Sequence, residues 1–263
     1  MRQSHAAGWP SDSPTAAQLK EFFDQIESGK VTKDRFQAFL RGEPAVEGLM
    51  TEAERLAVEI FGPDKVLGYR DVCRVQKAEL PEIDPTMPFS EDALRECAEA
   101  NAQGANWRLA YVVGLSLRQE REIMGWNRKK QPCFDPDWIW WLESAQDPWA
   151  TAPVEPGYRL FDYTKRFAST LWGDQGTAIT ELGTNFERAE EQAVAEICFS
   201  NFLLSPNKER LMPNWYHWGS FQAAVGCHVY VGRFDRRGFD VYCYWGGIPF
   251  DGLGVVLARK FPQ

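Results

Sequence analysis

Redox, metal and nucleophilic chemistry in this sequence would have to come from six cysteines and three histidines, and these are thinly spread. Cys73, Cys97, Cys133, Cys198, Cys227 and Cys243 show no C-x-x-C spacing. Neither a zinc ribbon nor a dithiol oxidoreductase is therefore signalled. The densest group is Cys227-His228, with Cys243 within reach if the two segments form adjacent strands. Such a group could bind copper or iron, or exchange electrons; buried thiols more commonly act as small inert hydrophobes. His217, between Tyr216 and Trp218, could serve as a general base, although a histidine in an aromatic run is more often a hydrogen-bonded structural residue. With only His5, His217 and His228 present, a histidine-built metal centre is not expected. Asp235 and Asp251 stand apart and suit turns better than a calcium cluster. No G-x-S-x-G, P-loop or H-E-x-x-H motif occurs, and Gly246-Gly247 reads as a turn. These residue types point to no catalytic residue, no metal and no cofactor.

The more prominent chemistry is that of contact. Aromatic residues make up 14% of the chain, and it has 11 tryptophans. Apart from Trp9 they all fall between Trp107 and Trp245, which implies an aromatic core or an aromatic binding surface there. The net charge of −8 argues against a nucleic-acid partner, and Arg128-Lys129-Lys130 reads as a solvated turn. No apolar run is long enough to insert into a membrane, and the first residues lack the apolar stretch of a signal peptide. A cytoplasmic location with free thiols is the expectation; surface display would need another export route.

The elements that must position these residues follow an α+β order. At 263 residues the chain makes one large domain or two modest ones. Residues 1–75 read as a helical module. Leu19, Phe22, Phe23 and Ile26 recur at helical spacing, Thr32 can cap a second helix, and Thr51 to Glu54 is a capping box closed by Gly62-Pro63. Residues 76–104 read as a proline-containing linker and a helix capped by Ser90. Strands are predicted at 107–113 and 158–163, with a long irregular segment between them over 126–157, pinned to the core by its tryptophans. Helices are predicted at about 171–183 and 186–204. After Trp215 the pattern changes to short β-type runs separated by glycines: 229–231, 239–242 and 253–257.

Asn214-Trp215-Tyr216-His217-Trp218-Gly219, Val229-Tyr230-Val231-Gly232-Arg233-Phe234-Asp235, Gly238-Phe239-Asp240-Val241 and the run from Leu253 to Phe261 carry a resemblance. They are similar to the C-terminal region of variable proteins diversified by retroelements. The resemblance covers about 105–263 and implies a C-type-lectin-like domain of the formylglycine-generating-enzyme type, with two helices and short antiparallel strands. It further implies that about 214–261 form a hypervariable ligand-binding face, rewritten by an error-prone reverse transcriptase that mutates template adenines. The partner would be a macromolecule, most naturally a protein, and the N-terminal helices would tether the domain or build a homo-oligomer. The alternatives are an oxidase of the formylglycine-generating type or a metal-dependent relative, and a protein with one fixed partner. The lectin signatures Glu-Pro-Asn and Trp-Asn-Asp for calcium-dependent sugar binding are not present.

The genetic code bears on this resemblance. Adenine mutagenesis of an asparagine codon cannot produce Gln, Glu, Lys, Met or Trp. From Ser220 to Leu257 there is no Glu, Lys or Met, and Gln222 is the departure. By that logic Trp215, Trp218 and Trp245 are fixed scaffold. Gly232, Gly238, Gly254 and Arg259 would hold the loops. Strand alternation turns Val229, Val231, Phe239 and Val241 inward and His228, Tyr230, Asp240 and Tyr242 outward. The expected ligand-binding set on strands is Cys227, His228, Tyr230, Asp240, Tyr242, Cys243 and Tyr244. Phe221, Ala223 and Ala224 are expected in one loop, and Ile248, Pro249, Phe250 and Asp251 in another. Such a mixed aromatic and polar patch is suited to protein contact.

Overall fold

The Thr51 hydroxyl accepts the Glu54 backbone N–H, and the Glu54 carboxylate accepts the Thr51 N–H in return. This box starts α1 (Glu52–Phe61), which Gly62 ends at φ +84°. Structure is described for residues 20, 23–24, 50–137, 148–224 and 226–261 of this computed structural model. Contacts divide the chain into two compact units, 1–49 and 50–263. In the first, Lys20, Phe23 and Asp24 are helical; the rest of the expected helical hairpin, including the Thr32 cap, lies outside the described residues.

The second unit is mixed α and β. After α1 come β1 (Val66–Leu67), α2 (Tyr69–Gln76), α3 (Glu91–Ala102), β2 (Trp107–Val112), α4 (Leu117–Met124), α5 (Pro148–Thr151) and β3 (Gly157–Arg166). Then follow α6 (Trp172–Glu181), β4 (Phe186–Arg188), α7 (Glu191–Leu204), β5 (Tyr216–Ala224), β6 (Cys227–Gly232), β7 (Asp240–Trp245) and β8 (Leu253–Arg259). The strands form one sheet in the order β1-β2-β3-β8-β5-β6-β7, with β4 also paired to β8. β8 is the hub. Its second half lies antiparallel between β3 and β4, and its first residues run parallel to β5. α7 is buried nearly all round, as expected for a helix without a polar stripe, and packs on α2, α4, β1, β2, β5 and β6.

Three expectations are corrected. The division at residue 75 is not where the chain divides. β1 pairs with β2, and the Gln76 side chain donates to Glu120 (3.1 Å) and to Ser200 of α7 (2.9 Å), so everything from Met50 folds with the sheet. The helix expected from 186 begins only at Glu191, because Phe186 to Arg188 pair with β8 first. Phe221, Ala223 and Ala224 lie on strand β5 and not in a loop; β5 is paired with β6 through irregular register, which blurs the alternation that would have revealed it. Of the tryptophans in 126–157, Trp149 is buried, whereas Trp126 is 56% exposed beneath the Arg121 guanidinium; Trp138, Trp140 and Trp141 lie outside the described residues.

Candidate functional site

The β5–β6–β7 meander has two unlike faces. Val229, Val231 and Val241 point into a core that includes Phe134, Phe199, Phe234 and Phe239, whose rings meet at centroid distances of 4.9–5.9 Å. Opposite pairs on the other face are Trp218 with Tyr230, Tyr230 with Tyr242, and His228 with Tyr244. Directly opposed residues share a face, so these build a continuous aromatic layer. Tyr230 lies 4.6 Å from Tyr216 and 6.0 Å from Tyr242; Tyr244 lies 6.2 Å from Trp218 and 5.7 Å from Phe250.

α6 covers one end of this layer. The Trp172 ring stacks on His228 at 3.8 Å and 12°. Its indole N–H donates to the Gly219 carbonyl (2.8 Å), and its backbone N–H donates to Gly246 (3.1 Å). Gly246 is required beside the stack: a Cβ there would lie 2.9 Å from the His228 ring. Beneath Trp172 the Arg188 guanidinium donates to Gln175 (3.0 Å) and to the carbonyls of Trp218 (2.5 Å) and Trp172 (3.2 Å); burial lowers it to about 10. Glu191 accepts the Phe221 N–H (2.9 Å), and burial raises its carboxyl.

At the other end Tyr216 and Phe250 wall a cleft of about 470 Å³. Lys165, Arg233, Asp235 and Asp251 line it as well. The Lys165 ammonium donates to the Asp251 carbonyl (2.9 Å), and Arg233 donates to the Tyr216 hydroxyl (3.3 Å). That hydroxyl donates to Asp240 (3.2 Å), whose carboxyl is pushed up to about 7 by burial and then by the nearby Asp135 charge.

The expected site residues separate on this framework. Ile248, Pro249, Phe250 and Asp251 are exposed; Phe221, Ala223, Tyr230, Tyr242 and Tyr244 are half-buried; Ala224 ends β5 opposite Cys227. Four are corrected. His228 and Asp240 do point away from the valine core, but each is covered, by Trp172 and by the Tyr216 side respectively, and only about 5% of either is exposed. Cys227 is buried, and Cys243 sits opposite inward-facing Val229. Cys243 is pushed up to about 12 by burial and by its hydrogen bond with Cys227, so it is a thiol at neutral pH and a poor nucleophile. Trp245, expected as scaffold, is 57% exposed at the end of β7, beside Gly226 and opposite Cys227, on the side of the valine row and away from Tyr244.

His217 has no free nitrogen for base catalysis. Its Nδ1 accepts the Val256 N–H (3.0 Å), which leaves Nε2 to donate to the Ala189 carbonyl (2.9 Å), and burial pulls it down to about 3. Among the described residues, no group of three His, Cys, Asp or Glu side chains is placed to hold a metal ion. No family model, curated protein or solved structure matches this chain. Sequence reasoning missed Trp172, Arg188, Glu191 and Lys165. No local motif marks them, because each acts on a strand distant in sequence.

Proposed function

We propose that the chain is a ligand-binding protein whose C-terminal face is diversified by a retroelement, on a C-type-lectin-like domain. The observation that carries this reading is the outward row of half-buried Tyr242 and Tyr244, continued by Phe250, 5.7 Å from Tyr244 and 41% exposed, and by Ile248, 48% exposed in the same loop. Large apolar side chains held out to solvent on paired strands and a short connecting loop cost solubility without adding core, which favours a contact role. Two helices, α6 and α7, followed by short antiparallel strands agree with the domain that the resemblance implies. The binding set under this proposal is Tyr242, Tyr244, Ile248 and Phe250, with the Tyr216–Phe250 cleft beside it; the chemistry is contact without reaction.

The test is to sequence the coding segment for residues 214–261 from many cells of one growing population, beside the segment for 50–104. Substitutions confined to the first segment, at adenine-mutable codons for Phe221, Tyr230, Tyr242, Tyr244, Ile248 and Phe250, are expected. Equal variation in both segments would overturn the proposal.

A further inference from the structure

The chain is acidic overall, with a net charge of −8, yet one corner has the opposite sign. The turn after β6 supplies Arg233, Arg236 and Arg237, and the segment after α4 supplies Arg128, Lys129 and Lys130. Hydrogen bonds join the two. Gln131 donates to the Arg236 carbonyl (3.1 Å), Arg128 to the Arg237 carbonyl (3.4 Å), and Arg210 to the Gln131 side chain (3.2 Å). The backbones pair as well: the Asp135 N–H donates to Phe239 (3.0 Å), and the Phe239 N–H donates to Cys133 (2.9 Å). Gly238, at φ +134°, permits this approach, since a Cβ there would lie 2.5 Å from the Asp135 nitrogen.

Part of this charge is used internally. Buried Asp135 pairs with Arg128 at 2.7 Å and Arg237 at 3.8 Å; Asp137 pairs with Arg128, and Asp235 with Arg237 at 3.5 Å. Seven cationic side chains stand against these three carboxylates and Asp240, which faces Arg233 and Arg237, so the corner keeps a surplus of three positive charges on a chain of net charge −8. Burial lowers Arg210, and the neighbouring Arg236 acts in the same direction. Lys129, Lys130 and Arg236 are exposed and form no ion pair with any described residue.

We propose that this corner docks an acidic stretch of polypeptide, a short run rich in Asp or Glu. Arginine forks match carboxylates bidentately, and the flanking lysines add attraction without fixed geometry. Shortness follows from the charge distribution. A polypeptide can place a few carboxylates on the corner and turn away, whereas a long polyanion would extend beyond it along a chain that is acidic overall, with a net charge of −8. Arg233 and Asp235 also line the Tyr216–Phe250 cleft, so the proposal is tested at Lys129 and Arg236, which do not.

The test is fluorescence anisotropy of a labelled hexaglutamate peptide with the full chain, beside a labelled DNA duplex. The peptide is expected to bind, and to weaken by about tenfold or more between about 50 mM and 500 mM salt. Lys129→Glu with Arg236→Glu is expected to weaken binding by about tenfold or more, and Ile83→Ala, at an exposed position between α2 and α3, to leave it unchanged. If charge reversal disturbs the circular dichroism spectrum, Lys129→Gln with Arg236→Gln provides the same test with a smaller loss. No peptide binding, full binding by a folded double variant, or preference for the duplex would overturn the proposal.

Discussion

The two faces of the β5–β6–β7 meander are built from neighbouring residues in the same strands, yet they solve opposite problems. On the inner face Val229, Val231 and Val241 need only shape and dryness, and alternation is enough to supply them. On the outer face aromatic rings, a histidine and an acid must be covered in part and left open in part. That division is made by groups from elsewhere: Trp172 over His228, Tyr216 over Asp240, and Glu191 beneath Phe221. An outward-pointing side chain is therefore not the same as an exposed one. The exposed part of the face is the rim, where β7 ends and the loop to β8 begins.

The largest expected effect breaks the layer at its buried centre. Trp218 is fully buried, and Trp218→Ala should cost about 3–5 kcal/mol in denaturant unfolding. A neutral result would mean that the outer face is not packed as described. Next is Gly219→Ala. The added Cβ would collide with the Glu191 side chain, and a loss of about 1–3 kcal/mol is expected by the same measurement.

The pH response distinguishes the faces by sign. His217, buried and neutral on the inner side, sits near 3 when folded and near 6.5 when unfolded. Its contribution is complete above about pH 6.5 and is lost as pH falls toward 3. Asp240 sits near 7 when folded and near 3.9 when unfolded. Its contribution is complete below about pH 4 and is lost as pH rises through 7. Melting temperatures followed by circular dichroism should therefore decline at both ends. Asp240→Asn should reduce the decline between about pH 4 and 7 and leave the His217 contribution intact; Glu196, also near 7, retains part of the decline. An unchanged alkaline limb would remove Asp240 from this role.

The smallest stability effect belongs to the rim. Phe250→Ala should cost about 1 kcal/mol in the same unfolding assay, because the residue is 41% exposed and its ring packs on Tyr244. A loss several times larger would make Phe250 part of the core and leave the rim with too little open surface for binding.

Much of the local structure was legible in the residues. The Thr51–Glu54 box and the Ser90 cap are present, and the strands expected at 107–113 and 158–163 and the helix expected at about 171–183 are found at 107–112, 157–166 and 172–181. The candidate site was legible only by type. Tyr242, Tyr244, Ile248 and Phe250 are expected on an outward face and are half-buried or exposed, whereas His228, Asp240 and Cys227, expected in the same set, are covered.

What the sequence alone determined is therefore the α+β order and the inward row of valines, because caps and period-2 patterns act between near neighbours. The tertiary structure decided the rest: the division at residue 50, the Trp172–His228 stack, the exposure of Trp245, and the meeting of 128–130 with 233–237. Each depends on a partner tens of residues away. The cover over a strand, and the sign of charge at a corner, are set by which distant segments the sheet brings together.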